Sequence, residues 1–295
     1  MAHGAAPSWS RSETPLHILL ATDGTWGDVG PFLAVGAALQ ARGHRVRAFL
    51  NPSFAEPARR LGMEVREVGA PWEERLPHAD PSLLRPVTGT VQVLRDFMLP
   101  EVPLWIRATH EAVAELRPDA ALVHHLSWGT LVPLHARGVP IAAGFLAPSV
   151  LMSWRDPARL IPGLPAPPRL VQRGMRPLVR AMFRRVLDRP AARHFEAAGL
   201  APPRDLLSLA ERAAARPLAF WSRHFRGPVA DDPPGMRLCG FVLPPEEEAL
   251  PPPPRGVPGR GVPGASLRSA ADRHPRGDRR LDRQRGRGVL PELLR

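Results

Sequence analysis

Between an apolar run, His17–Ala21, and a helical pattern lies the segment Thr22–Pro31, TDGTWGDVGP, which gathers carboxylates, hydroxyls and glycines into one short loop. Gly24, Gly27 and Gly30 fall at GxxGxxG spacing. A dinucleotide-binding turn needs GxGxxG and an acid near the end of the second strand. Here the residue after the second predicted strand is Asn51, so NAD and FAD are disfavoured. A P-loop needs Gly-Lys-Ser/Thr, and the chain contains no lysine. What remains is Asp28, expected just before a helix N-terminus. A carboxylate there suits either of two tasks. It can take the proton of a hydroxyl as general base, or cap the helix by accepting bonds from its first amides.

A second group of polar and aromatic residues ends a later apolar run. His124 and His125 close it, with Ser127 and Trp128 opening the next loop. In an open parallel sheet ligands sit beyond the carboxyl ends of the strands, so these residues and Asp28 are expected to face one crevice. The histidines can bind or polarise a hydroxyl, or merely meet water, and Trp128 could wall an acceptor site. Phe145, Pro148 and Ser149 end the following run and could line the same pocket. Asp23 and Thr25 could orient a hydroxyl, or only shape the turn. A His pair without an acid or Cys cluster is a poor metal site, and no structural metal or other cofactor is expected. The lone Cys239 excludes an intrachain disulfide framework.

The elements that must position these residues follow from apolar periodicity and Gly/Pro punctuation. Strands are predicted at His17–Ala21, Arg45–Leu50, Glu64–Val68, Ala120–His125 and Ile141–Phe145, with two more at Pro217–Ser222 and Arg237–Phe241. Helices are predicted at Pro31–Arg42, with Pro at the favoured first position, and at Pro52–Leu61, Pro100–Leu116, Trp128–Ala136, Arg169–Leu187 and Pro190–Leu200. Strand–helix–strand repetition with short links implies right-handed βαβ units and an α/β fold, a Rossmann-like doubly wound parallel sheet.

The run HILLATDGTWGDVGPFLAVGAALQARGHRVRAF resembles the amino-terminal domain of GT-B glycosyltransferases. The sterol, antibiotic and rhamnolipid branch is the most similar; its first loop reads G-[ST]-x-G-D-V-x-P-[FL]. In this chain the motif is Gly24, Thr25, Trp26, Gly27, Asp28, Val29, Gly30, Pro31, Phe32. The resemblance continues more weakly through RPDAALVHHLSWGTLVPLHARGVPIAAGFLAPS to MRLCGFVLP, about residues 15–250. It implies an inverting hexosyltransferase that moves a sugar from a UDP- or dTDP-linked donor to a hydroxyl of a lipid, sterol or polyketide-like acceptor. By the same resemblance Asp28 is the base; the residues expected at the crevice, Asp23, Gly24, Thr25, Gly27, His124, His125, Trp128, Phe145 and Ser149, are the candidates for the acceptor site. No cofactor beyond the donor co-substrate is implied. The donor-binding domain of such enzymes is missing from the recognisable text, so the chain is expected to be truncated and inactive alone.

Composition bounds the rest. The 295 residues carry a formal charge of +12, all of the basic residues being arginine. Residues 255–295 alone hold 11 Arg against 4 acids, a net of +7, which leaves +5 for the body. Charge concentrated in one tail argues against the whole molecule being a specific nucleic-acid binder. Residues 1–14 read as a disordered leader without a signal peptide, 15–250 as the acceptor-binding domain, and 251–295 as a disordered Pro/Arg/Gly-rich tail. The abrupt change at Pro251 fits out-of-frame translation of GC-rich DNA, so the tail is expected not to be a selected sequence. No apolar run reaches the ~20 residues of a membrane span, and a cytoplasmic location is expected.

Arg169, Arg173, Arg176, Arg180 and Arg184 recur at helical spacing opposite Val171, Met175, Leu178, Met182 and Val186, with Gly174 and Pro177 expected to break or kink the helix. Such a stripe is either a solvated face packed on the domain or a peripheral membrane contact. Two further functional readings stand beside the enzyme. One is a non-catalytic acceptor-binding or helper protein; the other is a protein that meets nucleic acid through the basic tail.

Overall fold

The computed structural model describes residues 14–72, 83, 85, 88–151, 153, 155 and 168–243. The expected tail 251–295, and all of the leader but Thr14, lie outside them. Seven strands form one parallel sheet: β1 His17–Ala21, β2 Arg45–Leu50, β3 Glu64–Glu67, β4 Ala120–His124, β5 Ile141–Phe145, β6 Arg216–Ala219 and β7 Arg237–Leu238. Their spatial order is β3-β2-β1-β4-β5-β6-β7. The chain winds outward from β1 to β3, then returns to place β4 against the other side of β1. The sheet therefore has its topological switch point between β1 and β4.

Helices cover both faces, which is why the central strands β1, β4 and β5 read as almost unbroken apolar runs, whereas the edge strand β3, EVRE, is largely exposed. The helices are α1 Trp26–Gln40, α2 Ala55–Arg60, α3 Thr88–Gln92, α4 Val102–Leu116, α5 Trp128–Ala136, α6 Arg169–Phe183, α7 Arg189–Ala197 and α8 Leu209–Ala213. Side chains alternate across the sheet with the strand period of two. Leu19, Ala21, Ala121, Val123, Ala143 and Phe145 pack beneath Trp105 and Ile106 of α4, Leu131 of α5 and Phe195 of α7. Ile18, Leu20, Leu122, Ala142 and Leu218 face Phe32, Leu33, Val35 and Leu39 of α1.

Four strand ends and several helices differ from the sequence reading. β3 stops at Glu67, β4 at His124, β6 covers Arg216–Ala219 and β7 only Arg237–Leu238. α1 begins at Trp26 rather than Pro31. Its buried Val29, Phe32, Leu33, Gly36 and Leu39 already follow the helical period from residue 29. Thr25 is its N-cap residue, so Pro31 sits inside the helix, where its missing N–H removes only one internal bond. The turns ahead of α4, α3 with a π-helical segment Val93–Met98 and a 3-10 turn Leu99–Glu101, and the short α8 were not foreseen. Gly174 and Pro177 do not break α6, which runs through both and is followed by the π-helical turn Arg184–Asp188.

Candidate active site

Ala21 pairs with Val123, so the two strands at the switch point leave the sheet side by side. The loop after β1 and the end of β4 meet there, at the crevice where open α/β sheets bind ligands. Gly24 makes the approach possible. Its φ is +130°, a backbone that side chains rarely adopt, and a Cβ on it would stand 2.4 Å from the Asp28 carboxylate. Asp23, buried at the end of the same turn, accepts a hydrogen bond from the Gly24 amide at 2.9 Å.

Asp28 lies in the first turn of α1, three residues past the cap, and not before the helix as the sequence reading had it. Its Oδ2 accepts the Thr25 amide at 2.8 Å and the Thr25 hydroxyl at 3.0 Å. One oxygen is thus committed to closing the start of the helix, in the manner of a capping box. The other, Oδ1, faces β4. The carboxylate remains one-third exposed, and the amino end of the helix dipole favours its negative charge.

Across from Oδ1 stands His124 Nε2, 3.8 Å away and too far for a hydrogen bond. His124 is fully buried, and burial alone pulls its pKa from 6.5 to about 3. The imidazole is therefore neutral, and the pair is not an ion pair at neutral pH. Phe32 meets the imidazole edge to face at 5.6 Å, and its other ring contact is the tilted ring of Phe220, 5.5 Å from Phe32. Phe32 reaches this place because β5 carries Gly144, where a Cβ would come within 2.5 Å of its ring. His125 packs against His124 at 4.3 Å and stacks on Phe145. Its pKa is held well below the usual histidine value, chiefly by burial and secondly by His124, against weaker opposing pulls from Asp28 and the Gly144 carbonyl.

Several buried polar atoms here have no hydrogen-bond partner among the described residues. Both ring nitrogens of His124, the Ser127 hydroxyl and the indole nitrogens of Trp128 and Trp221 are in this state. Leaving a buried donor or acceptor unpaired costs roughly 1–3 kcal/mol, so their concentration at and beyond the carboxyl ends of β4 and β6 marks a region not built for stability alone. Trp221, fully buried on the same side of the sheet as Trp128, was not singled out by the sequence, where it reads as ordinary strand. Phe220 was likewise missed, because its contact with Phe32 joins residues far apart in the chain.

Other expected site residues are dispersed by depth. Thr25 and Gly27 are exposed and Gly24 half-buried at the rim. Trp128 and Phe145 are only 1% exposed and belong to the core. Ser149 is exposed on the 3-10 turn Pro148–Val150 that follows β5. Among the described residues no group of three His, Cys, Asp or Glu is arranged to hold a metal ion.

The chain superposes on the glycotransferase of kitacinnamycin with a TM-score of 0.53 and 23% identity, over 84% of this chain and 55% of that one. It superposes on the calicheamicin glycosyltransferase with a TM-score of 0.54 and 19% identity, over 81% and 56%. The fold is that of one half of a GT-B glycosyltransferase. In sequence, the chain is 30% identical over 144 residues to the sterol 3-beta-glucosyltransferase of Arabidopsis thaliana, which is 47% of the chain and 23% of that relative. It thus spans about half the length of the solved structures, and under a quarter of the curated relative. No family model matches the chain. Among the described residues no helix is long and apolar enough to cross a membrane.

Proposed function

We propose that residues 15–250 are the acceptor-binding half of an inverting glycosyltransferase, with Asp28 as the general base. The observation that carries this reading is the pairing of one partly exposed carboxylate, anchored at the switch point, with a neutral buried imidazole behind it. Because His124 is uncharged, Asp28 Oδ1 is not neutralised by a cation. In the proposed reaction the acceptor hydroxyl gives its proton to Oδ1 while its oxygen attacks the anomeric carbon of the donor. The bond from that carbon to the nucleoside diphosphate breaks, the diphosphate leaves with the electron pair, and the anomeric configuration inverts. A base so placed contributes about 10²–10⁴-fold.

The acceptor would lie over Asp23, Gly24, Thr25 and Gly27 and beside Ser149, with His124, His125, Trp128 and Phe145 as the buried floor. A hydrophobic alcohol of sterol, lipid or polyketide type fits the similarity to the sterol glucosyltransferase. The nucleotide sugar, UDP- or dTDP-linked, would be held by a donor-binding half and not by these residues. The proposed setting is cytoplasmic, with the acceptor taken from a membrane surface. The test joins the chain after Val242 to the donor-binding half of a relative and follows hexose transfer to a sterol by mass. Transfer that disappears in Asp28→Asn while acceptor retention persists supports the reading; undiminished transfer in that variant overturns it.

A further inference from the structure

α6 has two apolar edges, and only one is used. Phe183, at the end of α6, and Val186, in the π-helical turn that follows, pack against the core, and Leu187 of that turn is fully buried. Leu178 and Met182, by contrast, are 71% and 39% exposed, and Val171 is 49% exposed. At steps of seven and four residues these three fall on a single line along the helix, roughly a third of a turn from the packed edge. They are three of six exposed large apolar side chains among the described residues. An apolar line of this kind on a monomer marks a contact surface.

The charge on the rest of the helix identifies the occupant: Arg180 and Arg184 stand about half a turn from the apolar line, as on the polar side of a helix lying in a bilayer interface. From Pro168 to Leu187 the sequence holds six arginines and no acid. Arg180, Arg184 and Arg185 are exposed and make no ion pair among the described residues. Arginine can lay its stem along apolar surface while its guanidinium stays in the polar layer. We infer that α6 lies in the interface of an anionic lipid bilayer, with Leu178, Met182 and Val171 entering the acyl boundary and the arginines of the opposite side held in the headgroup layer. A nucleic acid would satisfy the arginines but leave the apolar line in water. The inference concerns attachment and does not depend on which chemistry the site performs.

Co-sedimentation of the full chain with phosphatidylcholine vesicles, with and without about 30% phosphatidylglycerol, tests it. Binding is expected only to the anionic vesicles. Leu178→Ser with Met182→Ser keeps every charge, and should lower the partition coefficient at least tenfold while the thermal transition stays in place. Replacing Arg180, Arg184 and Arg185 by Gln should lower binding and flatten its salt dependence. Full retention of binding in the Leu178/Met182 variant would overturn the inference and assign attachment to charge elsewhere, such as the tail. Absence of binding to anionic vesicles would overturn it outright.

Discussion

The carboxylate of Asp28 and the imidazole of His124 face each other across 3.8 Å without either a hydrogen bond or an ion pair between them. Each is held by something else: Asp28 by Thr25, and His124 by the aromatic rings around it. The gap between them is a property of the scaffold, set by the β1–β4 pairing, and its two sides can be altered separately.

Asp28→Asn keeps an oxygen for the Thr25 amide but removes the proton acceptor. Stability should fall by no more than about 1 kcal/mol, the range of a weakened cap or helix-dipole contact. Transfer in the fused enzyme should fall by about 10²-fold or more. Urea denaturation and initial rates measure the two effects independently.

Protonating His124 is where acid should act. Its folded pKa is about 3, against ~6.5 in the unfolded chain, so below ~6.5 the unfolded state binds the proton first. Stability contributed by the neutral buried ring is complete above ~6.5 and is lost as the pH falls toward about 3. His124→Gln should flatten the slope of unfolding free energy against pH between roughly 6.5 and 4. An unchanged slope would mean that the ring is not the group responsible.

Gly24→Ala combines a left-handed backbone with a clash against Asp28. The expected loss is about 1–3 kcal/mol, read as a shift in the urea midpoint at constant slope. Gly43→Ala provides the comparison: its φ is +92° but a Cβ there meets nothing within 4 Å, so only the backbone penalty should remain.

Ser127→Ala removes a buried hydroxyl that has no partner. The variant should be as stable as the parent or more so, by up to about 1 kcal/mol. If acceptor affinity falls in the same protein, the hydroxyl belongs to the binding surface; a clear drop in stability would show that Ser127 is satisfied in solution.

Much of the fold was legible because the strands are buried on both faces. His17–Ala21, Arg45–Leu50 and Ile141–Phe145 were read to the residue, since short apolar runs bounded by Gly or polar residues have few other solutions. The start of α1 was misread because Pro31 looked like a first helical residue, although Val29 already belonged to the buried stripe. The loop motif led to Asp28, yet nothing local could reveal that His124 is desolvated. That follows from Phe32, which packs on His124 and on Phe220 and is given room by Gly144, and from His125, which covers His124 and itself stacks on Phe145. The exposure of Leu178 and Met182 was also hidden, because α6 is apolar on more than one edge and spacing does not say which edge packs.

The capping of α1 by Asp28 has one further consequence. A base carried on a free loop could follow acceptors of different size, whereas this one moves only if the first turn of the helix unwinds. Under the proposed mechanism the attacking oxygen must come to a stationary point. Which hydroxyl of a polyhydroxylated acceptor is glycosylated would then be decided by how the molecule is seated, and regiochemistry should respond to substitutions in the walls and not to replacement of the base by Glu.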